Sequence, residues 1–350
     1  MFLENAWYVA AIASEIDRAP RRVTMLGRHV VLFRREDGSP VALEDACPHR
    51  KLPLSKGKVV GDAIECGYHG LKFDCSGACI RVPATPNLAG NVHVRAYPVE
   101  DRWGLTWVWT GDPAKADPAT IFPVPTWEDP EWGCTRPGSM EVDCDYRFIT
   151  DNLLDPSHVA WVHVTSFGNE ACEEVPVRAR PTEDGVIASR WMYGVEIAPF
   201  YAPFTKFSGL CDREQHYEVR HPSHAIIKAI FVPAGTGGPD KPLHDDAFLM
   251  DSYNFMTPID EKRTRYFWFQ MRNFAPGDTA VDAMFEASVK AAFLEDKVIL
   301  EAVQIGMDEM HSPNINLPLD AGPLRFRRKL AELIAAEKAA TAGTRSDAAE

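Results

Sequence analysis

Two short segments each carry one cysteine and one histidine: Cys47-Pro48-His49 and, after sixteen intervening residues, Cys66-Gly67-Tyr68-His69. Thiolate and imidazole are donors that both iron and zinc accept. Pro48 and Gly67 suit loop tips that curl around a metal centre. Two such tips facing each other need a turn-rich scaffold, and the surrounding sequence provides one. Short apolar runs such as Val30–Phe33 and Leu105–Trp109 are separated by the turn signals Asp37-Gly38, Gly61-Asp62, Ser76-Gly77 and Gly111-Asp112. Runs of four to six residues rich in β-branched and aromatic side chains predict strands.

Zinc fingers usually pair Cys with Cys and His with His. One of each per segment instead suits two thiolates on one iron and two imidazoles on a second, the Rieske [2Fe–2S] arrangement. A structural Cys₂His₂ zinc site is the alternative. Cys75 and Cys79 flank the hairpin signal Ser76-Gly77 and read as small hairpin residues, because further ligands would overfill the centre.

The runs CPHRKLPLSKG, CGYHGLKFD and WGLTWVWTGDP resemble the N-terminal domain of Rieske non-haem iron oxygenases. The opening AWYVA resembles their phthalate-type branch, which includes vanillate O-demethylase oxygenase subunits. The resemblance covers nearly the whole chain. It implies an α+β architecture: an all-β Rieske domain over residues 1–115, then a helix-grip type α+β catalytic domain with an antiparallel sheet over 139–340. Between them, residues 116–138 lie in a stretch where six prolines fall within 25 residues (Pro113 to Pro137), which excludes a long helix or a central strand and reads as a connection. Residues 341–350 are small and polar and are expected to be disordered.

A second constellation runs Asn152-x-x-Asp155-x-x-His158-x-x-x-x-His163. Histidines five apart diverge by about 140° on an ideal helix, so a shared metal requires a break or bend between them. Asp155-Pro156 marks a helix restart, with Asp a favoured N-cap and Pro a favoured first residue. The spacing is similar to the family's mononuclear iron motif. The resemblance makes Asp155 the bridge from an iron histidine to a cluster histidine, His69, of an adjacent subunit, and puts Asn152 close to the iron.

The missing carboxylate is sought on a long amphipathic helix over residues 281–307. Phe285, Val289, Phe293, Leu300, Val303 and Met307 form an apolar stripe, and the position where it predicts another apolar residue holds Asp296. A buried Asp needs a partner or a metal, and no cation lies one turn away on this helix. Glu295, one residue off the stripe, competes. Asp296 is expected to join His158 and His163 as the 2-His-1-carboxylate set of non-haem Fe(II) oxygenases. Asn254, in an apolar neighbourhood, resembles a substrate-contact position of aromatic O-demethylases. Arg272-Asn273-Phe274 matches a family segment in which the arginine is as well structural as substrate-binding.

The charge balance, 37 − 50 = −13, disfavours nucleic acid and anionic membrane surfaces. No apolar run reaches membrane-spanning length and the N-terminus lacks a basic leader, which predicts a cytoplasmic protein. The expected activity is that of a terminal oxygenase using O₂ to O-demethylate a methoxylated aromatic acid of the vanillate type. Oxidation of the methoxy carbon gives a hemiacetal that collapses to a phenol and formaldehyde. The alternatives are hydroxylation of an aryl methyl group, ring dihydroxylation, or a Rieske electron-transfer protein without oxygenase activity. The sequence lacks a Gly-x-Gly-x-x-Gly fingerprint and a second set of four cluster cysteines. Electrons from NADH must therefore arrive through a separate reductase of the flavin and iron-sulfur type. The family resemblance also implies a homotrimer.

Overall fold

The structure is a computed structural model that describes residues 2–347 apart from 84, 165 and 170, with side chains described to residue 341. It comprises two compact bodies. One holds the chain up to Pro123 together with Thr257–Glu261; the other holds Val124–Met256 and everything from Lys262 on.

The first body is built from short strands: β1 (Trp7–Ile12), β2 (Arg21–Met25), β3 (Arg28–Arg34), β4 (Pro40–Glu44), β5 (Lys58–Val60), β6 (Ala63–Glu65), β7 (Lys72–Phe73), β8 (Cys79–Arg81), β9 (Ala96–Tyr97), β10 (Val99–Arg102) and β11 (Leu105–Trp109). They pair antiparallel in three small sheets, ordered β1-β11-β10, β2-β3-β4-β9 and β5-β6-β7-β8. The predicted alternation of apolar runs and turns is met. Val31, Phe33 and Leu43 from one sheet pack with Ile64 and Phe73 from another, and Cys47 and Cys66 belong to that same core cluster. Burying both thiols among apolar side chains is what fixes the two Cys-His loops to the scaffold.

The second body carries β12 (Gly133–Cys134), β13 (Gly138–Val142), β14 (Arg178–Pro181), β15 (Gly185–Val195), β16 (Cys211–Arg220), β17 (His224–Pro233), β18 (Phe248–Asp260) and β19 (Arg263–Arg272). They form one eight-stranded sheet along the path β12-β19-β18-β17-β16-β15-β14, with β13 also on β19. Here the structure departs from the sequence expectation. The proline-rich stretch does not remain a bare connection to residue 138, because β12 and β13 join the sheet on β19. Glycines permit this: a Cβ on Gly138 would lie 2.6 Å from the Trp268 ring, and one on Gly133 2.7 Å from the Arg272 guanidinium.

The helices are α1 (Tyr146–Asn152), α2 (Val159–Val162), α3 (Ala171–Glu174), α4 (Thr279–Glu309) and α5 (Ala321–Asp347). Asp278 caps α4 by accepting from Ala280 N and Val281 N. The buried face of α4 runs Phe285, Val289, Ala292, Asp296, Leu300 and Gln304. The expected stripe therefore holds as far as Leu300 and then shifts. Val303 and Met307 are exposed, and Gln304 turns inward to accept a hydrogen bond from Asp145 N. Helix α4 lies on the sheet through Phe293, which stacks on Tyr266 and meets Trp268 edge-on. Helix α5 continues to Asp347, past the point where composition predicts loss of structure; residues 348–350 lie outside the described residues. Among the described residues no helix is long and apolar enough to cross a membrane.

Candidate metal centres and oxygenase cavity

The two Cys-His loops share one backbone design. Cys47 N donates to Leu52 O, and its carbonyl accepts from Lys51 N. Cys66 N donates to Leu71 O, and its carbonyl accepts from Gly70 N. In each loop the fourth residue after the cysteine takes a left-handed conformation, Lys51 at φ 60° and Gly70 at φ 70°. The result places both cysteines inside and both histidines at the surface. The His49 and His69 rings lie 4.5 Å apart. Gly67 is required, because a Cβ there would come within 2.8 Å of Lys56 O. Asp45, buried, braces the first loop by accepting from Ser55 N and Oγ and from Arg22.

Burial pushes the Cys47 thiol up to about 11, and the adjacent Cys66 adds to the rise. Two neighbouring buried thiols that must ionise to act as ligands call for a strong compensating cation. Two adjacent thiols inside and two adjacent imidazoles at the surface match the donor division of a Rieske cluster, two thiolates on one iron and two imidazoles on the other. Among the described residues, His158, His163 and Asp296 form a group whose ligand atoms all lie within 4.8 Å of one another. Cys75 is engaged elsewhere: its thiol donates to Asp62 O and accepts from Arg35 Nε.

The break needed between His158 and His163 is present. Helix α2 holds only the four residues between them, and His163 leaves the helix at φ −111°, ψ 39°. His158 Nδ1 bonds to Asp155 O at 2.5 Å, and His163 Nδ1 to Glu295 Oε2 at 2.8 Å. Both Nε2 atoms therefore turn to Asp296 Oδ1, at 3.7 and 3.2 Å. Asn152 Nδ2 donates to the same oxygen at 3.2 Å. Asp296 is 6% exposed and His163 5%. Burial lowers the pKa of His158, whereas at His163 the same burial is outweighed by Asp296 and Glu295, so its pKa rises. Two imidazoles and one carboxylate facing one point, with a side left open to a cavity, is a donor set suited to Fe(II). Asp155 Oδ1 accepts from Ser157 N within a turn; the helix restart expected at Asp155-Pro156 comes later, because α2 begins at Val159 with His158 in the N-cap position.

That open side is a cavity whose empty space, counted together with the solvent at its mouth, is about 660 Å³. The metal triad and Asn152 form one wall, and Phe167, Tyr201, Met250 and Phe293 supply apolar surface. Asn254 is not on this wall. It is fully buried, donating to Ser252 O and accepting from Tyr266 Oη at 2.8 Å, and Ser252 takes the lining position. The expected substrate contact at Asn254 is thus replaced by a bracing role behind Ser252. Arg272, fully buried, pairs with Asp282 at 2.6 Å and is structural. Sequence reading missed the inward row of β16, Arg213, Gln215 and Tyr217, all lining the cavity. Their alternation is a strand signal, but the outward row Glu214, His216 and Glu218 is equally polar and hides it.

Residues 142–336 match the Vanillate O-demethylase oxygenase C-terminal domain family and residues 6–98 the Rieske [2Fe-2S] domain family. The chain is 36% identical to the putative toluene-4-sulfonate monooxygenase system iron-sulfur subunit of Comamonas testosteroni, over 98% of this chain and 100% of that protein. It is also 36% identical to the vanillate O-demethylase oxygenase subunit of a Pseudomonas species, over 97% of each. The crystal structure of dicamba monooxygenase bound to 3,6-dichlorosalicylic acid superposes with a TM-score of 0.88 at 30% identity, covering 97% of this chain and 99% of that one. A β-built cluster domain followed by a sheet-and-helix body with a two-histidine, one-carboxylate centre defines a Rieske non-haem iron oxygenase. The chain belongs to this family, in the branch of vanillate O-demethylase oxygenase subunits, and is an oxidoreductase with a [2Fe–2S] cluster and a mononuclear iron.

Proposed function

We propose that the protein is the terminal oxygenase of a two-component system that O-demethylates a methoxylated aromatic acid of the vanillate type and releases formaldehyde. The observation that carries this reading is that the His158–His163–Asp296 set opens into a cavity walled largely by aromatic and aliphatic side chains. Cys47, His49, Cys66 and His69 hold the cluster; His158, His163 and Asp296 hold the iron. Bound there, iron and cluster together supply O₂ activation and the electrons beyond the one that ferrous iron gives readily.

The chain's own residues do the rest. Asn152 donates to Asp296 Oδ1 and so fixes which carboxylate oxygen faces the histidines. Asp155 positions the His158 ring through its carbonyl, which leaves one carboxylate oxygen beyond the capping bond for a histidine of a neighbouring copy, in an assembly of three. Phe167, Tyr201 and Phe293 exclude water and offer faces to an aromatic ring. Electrons come from NADH through a separate flavin and iron-sulfur reductase. A second reading, hydroxylation of an aryl methyl group, is favoured by the likeness to a toluene-4-sulfonate monooxygenase subunit.

The test is a panel of methoxybenzoates and methylated aryl acids with a reconstituted reductase, following O₂ uptake and formaldehyde. Formaldehyde stoichiometric with O₂ supports demethylation. O₂ uptake coupled to a benzylic alcohol without formaldehyde supports the second reading. Neither product from any member overturns both.

A further inference from the structure

The cavity holds a buried cation that no carboxylate among the described residues pairs with. Arg213, on the inward face of β16, is 2% exposed. Its Nη2 donates to Phe167 O at 2.9 Å, and its Nη1 meets Cys172 Sγ at 3.6 Å. Nε is buried and has no hydrogen-bond partner. The guanidinium lies over Phe231, 5.0 Å from the ring centroid, and 5.8 Å from Tyr201. Among the described residues no carboxylate pairs with it. Adjacent Asp212 is spent on Gly194 N, Gly235 N and Gly237 N. Asp251 faces Lys228 at 3.6 Å, and Asp296 belongs to the metal set.

A second buried guanidinium, Arg190, stands close enough to repel Arg213, with Asp155 the carboxylate that acts on it. Arg190 bonds only neutral acceptors: Gln215 Oε1, Val175 O and Pro156 O. A charge taken out of water is costly unless paired. Carbonyl, thiol and ring contacts offset part of that for Arg213 but neutralise none of it. Beside it, Tyr217 Oη accepts from Gln215 Nε2 at 3.5 Å, which leaves the phenol proton to be donated. Burial raises the Tyr217 pKa, so that proton stays in place.

The position relative to the metal set is suitable. The Phe167 ring meets His163 at 6.0 Å while the Phe167 carbonyl accepts from Arg213. Arg213 and the iron ligands are thus separated by about one aromatic side chain along the same cavity wall. We propose that Arg213 recognises the anionic group of the substrate, a carboxylate or sulfonate on an aromatic ring, and so holds the ring's far end toward the metal set. This rests on the reading of the cavity as the oxygenase's substrate site.

The experiment is calorimetric titration of the anaerobic holoenzyme, cluster and Fe(II) in place, with 4-methoxybenzoate, toluene-4-sulfonate and 4-methoxybenzamide. A charge-assisted hydrogen bond corresponds to about tenfold to hundredfold in affinity. Wild type is expected to bind the two anions at least about tenfold more tightly than the amide. Arg213→Gln should abolish that preference while amide binding, cluster spectrum and iron content stay unchanged. Arg213→Lys, which keeps the charge and loses the fork, should weaken the anions severalfold and spare the amide. Equal wild-type affinity for acid and amide overturns the assignment whether or not any variant folds. So does loss of all three ligands alike in the variants, which is what a purely structural arginine gives. Formaldehyde release without an anion preference removes Arg213 and leaves the demethylase reading intact. An Arg213-dependent preference with no O₂ uptake on any probe does the reverse.

Discussion

Glu295 and Asp296, consecutive on α4, address opposite nitrogens of one imidazole: Glu295 Oε2 accepts from His163 Nδ1 at 2.8 Å, and Asp296 Oδ1 faces Nε2 at 3.2 Å. The two carboxylates that compete in the sequence therefore have different tasks. Asp296 is the buried carboxylate proposed as the ligand, and Glu295, 46% exposed at its side chain, favours the tautomer that turns Nε2 toward Asp296.

Asp296→Ala should lose the mononuclear iron while the cluster absorbance persists. Glu295→Leu should weaken Fe(II) binding about tenfold to a hundredfold, the usual cost of removing the partner of a ligating histidine. Glu295→Gln keeps an acceptor for Nδ1–H and should stay within about threefold of wild type. Iron titration of the cluster-loaded protein measures all three. Full iron retention in Asp296→Ala with loss in Glu295→Gln would reverse the two roles.

The proposed donors of both metal centres can be named from the sequence because ligand chemistry allows few residue types and local loops fix their spacing. Cys47, His49, Cys66, His69, His158 and His163 could be read without knowing any long-range contact. Asp296 was legible because a charged residue interrupts an apolar stripe. The residues that sequence missed depend on which face of an element the fold buries. Arg213 sits on a strand polar on both sides, so alternation cannot say which row turns inward. Asn254 is expected at the substrate from its resemblance to a substrate-contact position, yet its apolar surroundings bury it, and Ser252 lines the cavity. The pairing of β12 and β13 was hidden by prolines that are tolerated at the ends of short strands, and by glycines whose use depends on Trp268 and Arg272 across the chain.

The cluster ligands can be checked by potential. His69 is exposed at the end of its loop, whereas Cys66 is buried. His69→Cys exchanges a neutral donor for a thiolate and should lower the reduction potential by more than about 200 mV, toward the all-cysteine range. Protein-film voltammetry on a variant that keeps its iron and sulfide gives the answer. An unchanged potential there would mean that His69 is not bound to the cluster.

Asp155 combines two duties that a conservative change separates. Its side chain caps the turn at Ser157 N, and asparagine caps as well. Asp155→Asn should therefore keep fold, iron and cluster while slowing electron delivery to the iron, because an outer carboxylate no longer polarises the imidazoles. Single-turnover oxidation of the pre-reduced cluster with O₂ and substrate measures it. A rate within about threefold of wild type at full iron occupancy would reduce Asp155 to a cap.

The outward face of β16 provides a pH-dependent stability term away from the metals. His216 Nε2 lies 3.6 Å from Glu218, and Arg220 Nε donates to Glu218 at 2.5 Å. The histidine contact, against the effect of burial and with help from Arg220, holds Glu218 down to about 2 from 4.5. A depressed carboxyl stabilises the fold above its unfolded pKa and loses that contribution as pH falls from about 4.5 toward 2. His216 moves the other way. Burial lowers its pKa, but Glu214 and Glu218 outweigh burial and raise it. Its contribution is complete below 6.5 and fades as pH rises through the raised value. Glu218→Gln should therefore cost most between about pH 5 and 6, on the order of 2 kcal/mol, with the difference shrinking toward acid and only partly retained by Arg220 at high pH. Urea unfolding followed by far-UV circular dichroism at pH 3.5, 5.5 and 8 tests the shape. A wild-type-minus-variant difference that is flat across the three, or largest at pH 3.5, would show that the His216–Glu218–Arg220 contact carries no stability.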